Sequence, residues 1–555
     1  MVIYHSQMRM FCNLAVEIAL VAGAATAQPV ISSGGILNAA SYSLSGLPNS
    51  GIAQGSIFIA YGTGLGPAVP VAASESEFPI STTLGGSTGI SATITSSQVT
   101  AAVPLLYGSS NSIVGVVPSK IPVGNGTLTV TFNGRTSVPV TFRVVNNSVG
   151  LFSKYTNGIG PGILQNVSPT GAVSDNTVIN PARPGQPMIL WGTGLGPIDK
   201  DDSLGVVVGT INSNTEVYVG NKSVPVIYAG RSGCCVGKDQ IVFTVPDDSA
   251  DACHVPVVVK TSDGAKSVTS NYVSMAIARG GGACDAGTAA IQTAGAVKFG
   301  QISLTRIITE VSLFGTFLFT SDTASASFGK YDLARYTASQ GNYEVGYCTS
   351  YLFKGTDYLG GADAVAADVL DAGAALNITG PKGAKKLNKG SDGSYFLQLA
   401  GAPLPGGTSA GPDYLDAGTY TIDNGTGGTG ANAVGPFTAT ITLPPTALKW
   451  ENKDSVKVID RSQNLEVTWS GGDPNGFVNI VGGSALSTFG AAFVCREKTS
   501  AGRFTIPSVA MLNIPLGDLS VLSVGGISPV KFTAAGLDTG TLTSYGNSAK
   551  TVTFQ

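Results

Sequence analysis

The feature that most constrains this chain is a motif that it carries twice. Gly55-Ser-Ile-Phe-Ile-Ala-Tyr-Gly-Thr-Gly-Leu-Gly-Pro67 matches Gly185-Gln-Pro-Met-Ile-Leu-Trp-Gly-Thr-Gly-Leu-Gly-Pro197 at a spacing of 130 positions. The match continues in order, with Val103–Tyr107 answering to Val224–Tyr228 and Ile113–Pro118 to Ile241–Pro246. A period above roughly 100 residues marks a duplicated domain and not a solenoid repeat. Two homologous units follow, spanning about 35–147 and 158–279.

Each unit must be built from strands. Leu128, Val130 and Phe132 alternate with Thr127, Thr129 and Thr131, Asn133-Gly134 turns the chain, and Val138, Val140, Phe142 and Val144 alternate again. Period-two alternation around an Asn-Gly pair predicts a hairpin with one face in a core. Pro139 has no N–H to give a ladder, which places it on an edge. Val255–Lys260, Asp263-Gly264 and Val268 onward repeat the scheme.

These residues resemble the IPT/TIG family of immunoglobulin-like domains, in which a strand runs into a Gly-Thr-Gly-Leu-Gly turn. Ile36–Tyr42, Tyr61–Pro67 and Pro104–Tyr107 together look like a repeat domain of uncharacterised secreted proteins of soil bacteria. The resemblance covers residues 30–285 and implies an all-β fold. It says almost nothing about a ligand.

The remainder has the same grammar. A Gly/Ala-rich stretch at 281–296 reads as a linker, and residues 297–444 and 445–555 read as two further sandwiches. Asp416-Ala-Gly-Thr-Tyr420 resembles a tyrosine corner, in which the hydroxyl bonds back to nearby backbone, although Ile422 stands where a Cys is usual. The expected architecture is therefore all-β: tandem immunoglobulin-like β-sandwich domains at 30–148, 149–280, 297–444 and 445–555 after an N-terminal signal peptide. That signal is read at 1–27 from Arg9, the apolar run Phe11–Ala27 and the small-x-small ending Ala25-Thr-Ala27. Glu17 interrupts the run and His5 precedes it, which fits a start at Met8 or Met10; a buried N-terminal helix is the alternative.

Composition narrows the function. Charged residues are 12% of the chain, the net charge is −3 and the pI is near 5.5, so clustered cations for nucleic acid are lacking. No later segment has 18 uninterrupted apolar residues, so no membrane span is expected. Of seven cysteines, Cys12 leaves with the signal, and Cys234, Cys235, Cys253, Cys284, Cys348 and Cys495 remain. An even number in an exported chain reads as disulfides. The natural pairing joins one of Cys234/Cys235 to Cys253 and the other to Cys284, and leaves Cys348 with Cys495. A vicinal Cys234–Cys235 bond and a zinc site with His254 are alternatives.

Sites for chemistry are few. The glycine loops lack the following helix and Lys-Ser/Thr that a phosphate loop needs, and read as turns. After signal removal His254 is the sole imidazole, and Cys253 beside it in a strand points to the opposite face. No catalytic, cofactor-binding or metal-ligating residues are assigned, and no cofactor. Asp199, Asp201, Asp202 and Asp247, Asp248, Asp251 form no Asp-x-Asp-x-Asp-Gly loop and read as solvated turns, with calcium the alternative. Among Trp191, Trp450 and Trp469, Trp469 before the turn Ser470–Pro474 is the ring best placed to face a ligand, although Trp is usually core. The expectation is a non-enzymatic secreted or cell-surface protein acting as spacer, adhesion or recognition module, with protein or polysaccharide partners at the cell exterior. The alternative is a carbohydrate-binding protein or one that degrades glycans with two carboxylates.

Overall fold

The computed structural model describes residues 28–74, 78–86, 88–155, 158–264, 266–312, 316–332, 344–354, 368–401 and 413–555. The expected signal at 1–27 lies outside the described residues. The chain is all-β, in tandem sandwiches.

In the first unit, Val30–Asn38, Ile57–Thr63, Ser112–Val116, Leu105–Gly108 and Val71–Ala72 form one sheet in that order. The facing sheet runs Ile52–Ala53, Val140–Val145, Gly124–Phe132, Ile90–Ser96, Thr83–Leu84. Alternation decides the faces. Leu128 and Val130 enter a core with Phe58, Ile90, Ile94 and Val144, while Thr93 bonds Thr129 and Thr131 bonds Thr136 on the outer face. Asn133 and Gly134 both take positive φ, as a two-residue hairpin turn requires. Val138, expected to face inward, is 60% exposed. The ladder breaks at Ser137–Pro139, where Ser137 bonds Val130 through side chain and backbone, and resumes only at Val140.

The second unit repeats the plan. Pro187–Thr193, Asp239–Thr244 and Val226–Arg231 lie side by side, as do their counterparts Ile57–Thr63, Ser112–Val116 and Leu105–Gly108. The register slips at the same place in both, between Leu105 and Tyr107 and between Val226 and Tyr228. A shared bulge at matched positions is what duplication leaves behind. Each glycine loop is a turn, with Gly64 at φ +64 and Gly194 at φ +107, and each tucks its leucine, Leu65 or Leu195, into a core.

The second turn is also the joint between the units. Thr193 Oγ1 accepts the Ile57 N–H at 2.8 Å and donates to Gly237 O, while Ile57, Ile80, Val116 and Val236 pack together beside it. Asp202, expected in a solvated turn, is 3% exposed. It accepts from the N–H and hydroxyl of Ser119 at 2.6 and 2.9 Å, which ties its loop to the first unit. Arg231 and Asp239 form a fully buried ion pair behind this joint. Asp239 also accepts the Leu195 N–H, and Arg231 donates to Gly196 O. Burial pushes the Asp239 carboxyl up, against the pull of Arg231.

The expected linker 281–296 contains a short helix, Ala286–Ala294, capped by Asp285 and closed by Gly295 in the left-handed region. Beyond it, residues 297–444 and 445–555 do not form two separate sandwiches. Both contribute to one nine-stranded sheet ordered Tyr347–Lys354, Phe489–Lys498, Phe477–Ala485, Leu519–Phe532, Thr539–Thr551, Ala296–Ser312, Thr316–Asp332, Asp368–Val369, with Tyr395–Gly401 also on Thr316–Asp332. The first strand of this half runs parallel to one of its last, Phe299 opposite Thr539 through Glu310 opposite Lys550. Two small sheets cover the same face of it. Ala375–Gly380, Gly383–Asn388, Gly418–Asp423 and Thr438–Leu443 close one core with Ile302, Leu304, Phe328, Phe532 and Leu542. Lys449–Trp450, Leu465–Ser470 and Arg503–Ile506 close the other with Val478, Ile480, Phe493, Leu522 and Val524. Tyr420 behaves as a tyrosine corner: its hydroxyl donates to the Tyr414 and Asp416 carbonyls at 2.9 and 3.0 Å.

Asp371 pins the loops of the first of these sandwiches. It accepts from Lys389 Nζ at 2.7 Å and from the Thr429 and Gly373 N–H groups. Lys389 first, then those N–H groups, hold its carboxyl down at about 2. An unfolded Asp titrates at about 3.9, so Asp371 contributes stability that is complete above that pH and is lost as pH falls toward 2. Acid unfolding of Asp371→Asn should show a shallower pH dependence between those limits; an unchanged acid limb would contradict the assignment.

Candidate binding cleft

Along one strand of the shared sheet the same face serves both cores in turn. Leu522 and Val524 enter one core, Phe532 enters the other, and Gly526 and Ser528 lie between. The neighbouring strand repeats this, with Leu542 in a core and Ser544 and Gly546 following. Register aligns these positions into two rows: Leu304, Ser544, Ser528 and Arg306, Gly546, Gly526. Where neither small sheet covers the floor, apolar side chains give way to small ones and one arginine. The result is a cleft of about 500 Å³. Its walls are Leu415, Asp416, Leu443, Pro444 and Pro445 on one side, and Ala447, Leu448, Gly472 and Asp473 on the other.

Arg306 is held in a fork. Its Nε and Nη2 each meet Asp322 at 2.7 Å across the hairpin. The Tyr414 and Leu415 N–H groups also donate to Asp322, at 2.7 and 2.9 Å. Burial pushes the Asp322 carboxyl up, but Arg306 and those N–H groups outweigh it and hold it below its ordinary value. Asp413 and Asp416 approach Arg306 at 3.8 and 3.9 Å, and Lys382 bridges Asp416 at 2.8 Å. Asp473 accepts the Asn475 N–H at 2.9 Å. Among the described residues it has no cation within ion-pair distance. Tyr545 borders the cleft, but its register parity sends the ring to the opposite face, where its hydroxyl accepts from Asn547. The cleft thus has aliphatic walls and an acidic rim over a rigid floor.

The residues singled out from sequence lie elsewhere. Trp469 does not face a ligand: it is 4% exposed, sits in register opposite Trp450 in the core, and its indole N–H donates to Thr499 O at 2.8 Å. Cys348 and Cys495 pair as expected, directly opposite each other on adjacent strands. The other expected pairing is replaced: Cys234 bonds Cys235, and Cys253 bonds Cys284. Strand Asp239–Thr244 runs between Cys235 and Cys253 in the chain and carries the two to different places in the fold. Cys284 instead reaches Cys253 because Val273–Ile277 returns along Ala252–Asp263. His254 lines a small cavity of about 120 Å³ with Asn176 and Met275. Burial pushes its imidazole down, opposed by the Glu344 carboxylate. Among the described residues no three His, Cys, Asp or Glu converge on a metal position, and no helix is long and apolar enough to cross a membrane.

No family model matches the chain, and no curated protein matches it. Among solved structures, domains 5–6 of the S-layer protein SbsC align at 15% identity with a TM-score of 0.17, covering 45% of this chain and 98% of that one. Domains A168–A170 of titin align at 11% and 0.11, covering 68% and 96%. The insect immune protein hemolin aligns at 10% and 0.12, covering 95% and 100%. At these TM-scores the fold rests on the sheets described above.

Proposed function

We propose that this chain is an exported recognition module that binds a partner without chemical turnover, and that the cleft over the shared sheet is its binding surface. The observation that carries this reading is the change of floor composition between the two cores, from leucine and valine to Gly526, Ser528, Ser544 and Gly546. Interior strands with small side chains give a rigid concave surface, the kind of site where ligands are held with little reorganisation. Three disulfides support an oxidising exterior. The closely docked units support a rigid block more than an extended spacer. Asn221 bonds Gly346 O and the Cys348 N–H, Asn513 bonds Thr269 and Ser270, and Leu47 enters the last core.

Gly546 gives the direct test. It lies outside the positive-φ region, and no atom lies within 4 Å of the position a Cβ would take. Gly546→Phe should therefore fill the cleft from its floor without unfolding the chain. A panel of immobilised oligosaccharides and short peptides should retain the parent protein on some members and lose the variant, at an unchanged thermal midpoint. Equal retention of both proteins would move binding away from the cleft.

A second reading is favoured by Asp416 and Asp473 both lining the cleft, since carboxylate-based glycoside hydrolysis needs two acids at one site. Reducing-sugar release lost in Asp473→Asn would establish it.

A further inference from the structure

Resting on the cleft as the binding surface, we infer that its occupant is a lysine or arginine side chain of an extended peptide segment from a protein partner. Three features of the cleft converge on this. The first is charge. Arg306 is neutralised by Asp322, and Lys382 is engaged with Asp416, so the cations at the cleft are already matched. Asp413 remains beside Arg306, and Asp473 has no cation of its own among the described residues. An arriving cation meets surplus carboxylate; an arriving anion is repelled.

The second feature is the wall chemistry. Leu415, Leu443, Pro444, Pro445 and Leu448 are aliphatic, and the ring of Tyr545 is turned to the far face. A pyranose presents a flat C–H face that aromatic rings serve best, and among the described residues that line the cleft none turns an aromatic face into it. Lysine and arginine present a methylene stem below a charged head, and that shape matches aliphatic walls under an acidic rim. The third feature is the floor. Its strands are interior to the sheet, and their backbone groups pair on both sides. A peptide cannot add a strand at this floor, so recognition there falls to a side chain that descends between the walls. The open space above Gly546, beside the contact that Leu448 makes over Gly526, leaves room for it. A volume of about 500 Å³ takes such a side chain with part of its flanking backbone.

The test uses the full chain and fluorescein-labelled Gly/Pro/Ser peptides that carry one central Lys, Arg, norleucine or Glu, read by anisotropy, with a neutral oligosaccharide panel in parallel. The Lys and Arg peptides should bind at least about tenfold tighter than the norleucine peptide, and the Glu peptide weakest. The preference should shrink in added salt. Asp473→Asn, which keeps the acceptor for Asn475, should remove most of the preference, and Gly546→Phe should remove binding altogether. Equal binding of Lys and norleucine peptides, or an unchanged preference in Asp473→Asn, overturns the inference. Oligosaccharide binding that Gly546→Phe abolishes, with no peptide bound, overturns the inference and leaves the cleft as binding surface. Failure of every probe, or binding that Gly546→Phe leaves intact, overturns both.

Discussion

Replacing Arg231 with methionine should destabilise the chain by about 3–5 kcal/mol, the range for stranding one member of a buried ion pair. Asp239 is wholly buried, and its remaining partners, Leu195 N–H among them, cannot supply a full positive charge. The loss should fall on the second sandwich and its joint, because Arg231 also bonds Gly196 O in the turn that carries Thr193. Arg231→Met with Asp239→Leu should recover much of the stability, since an apolar pair of similar volume avoids the desolvation of two charges. Lys222→Met provides the contrast: Lys222 and Asp248 are 54% and 71% exposed, and solvent screening leaves such a pair with little effect on stability. Denaturant midpoints of the three variants measure this. A midpoint for Arg231→Met equal to that of Lys222→Met would contradict the lock.

The second large effect concerns the disulfides. Cys348 and Cys495 close a loop of 147 residues, for which the chain-entropy model gives about 5 kcal/mol. Cys348→Ala with Cys495→Ala should lower the stability of the last sandwich by an amount of that order, or prevent its folding. Cys234 and Cys235 are adjacent in sequence, so their bond closes almost no loop. Cys234→Ala with Cys235→Ala should cost less than ~1 kcal/mol on the same model. Thermal midpoints of the two double variants decide it, and comparable losses would contradict the pairing.

How much of this was legible in the sequence differs along the chain. The duplication shows in the repeated glycine motif, and the structure repeats it down to the bulge at Leu105 and Val226. The hairpin at Asn133-Gly134 and the tyrosine corner at Tyr420 were also readable, because each depends on a few neighbouring residues. The shared sheet was not. It pairs Phe299 with Thr539, contacts more than two hundred residues apart that no local pattern records. The site went unread for the same reason, although it left a trace. In the run Ile302, Leu304, Arg306 a charge stands at a core-facing parity, and in Asp322, Ala324, Ala326, Phe328 another does the same. Two opposite charges that break apolar alternation on adjacent strands signal a buried cross-strand pair, and that pair marks where the covering of the sheet stops. Trp469 misled because a strand end before Ser470–Pro474 looks exposed in sequence, whereas its ring packs into the core opposite Trp450 and Thr499 meets its indole.

The central claim is that binding occurs on the uncovered floor between the two C-terminal cores. Hydrogen exchange of the full chain with and without a saturating lysine-bearing peptide tests it most directly. The account predicts added protection confined to residues 413–418, 443–448 and 471–476 of the walls and 526–528 and 544–546 of the floor. Protection centred instead on the joint around Thr193 and Gly237, or on the 120 Å³ cavity at His254, would contradict it.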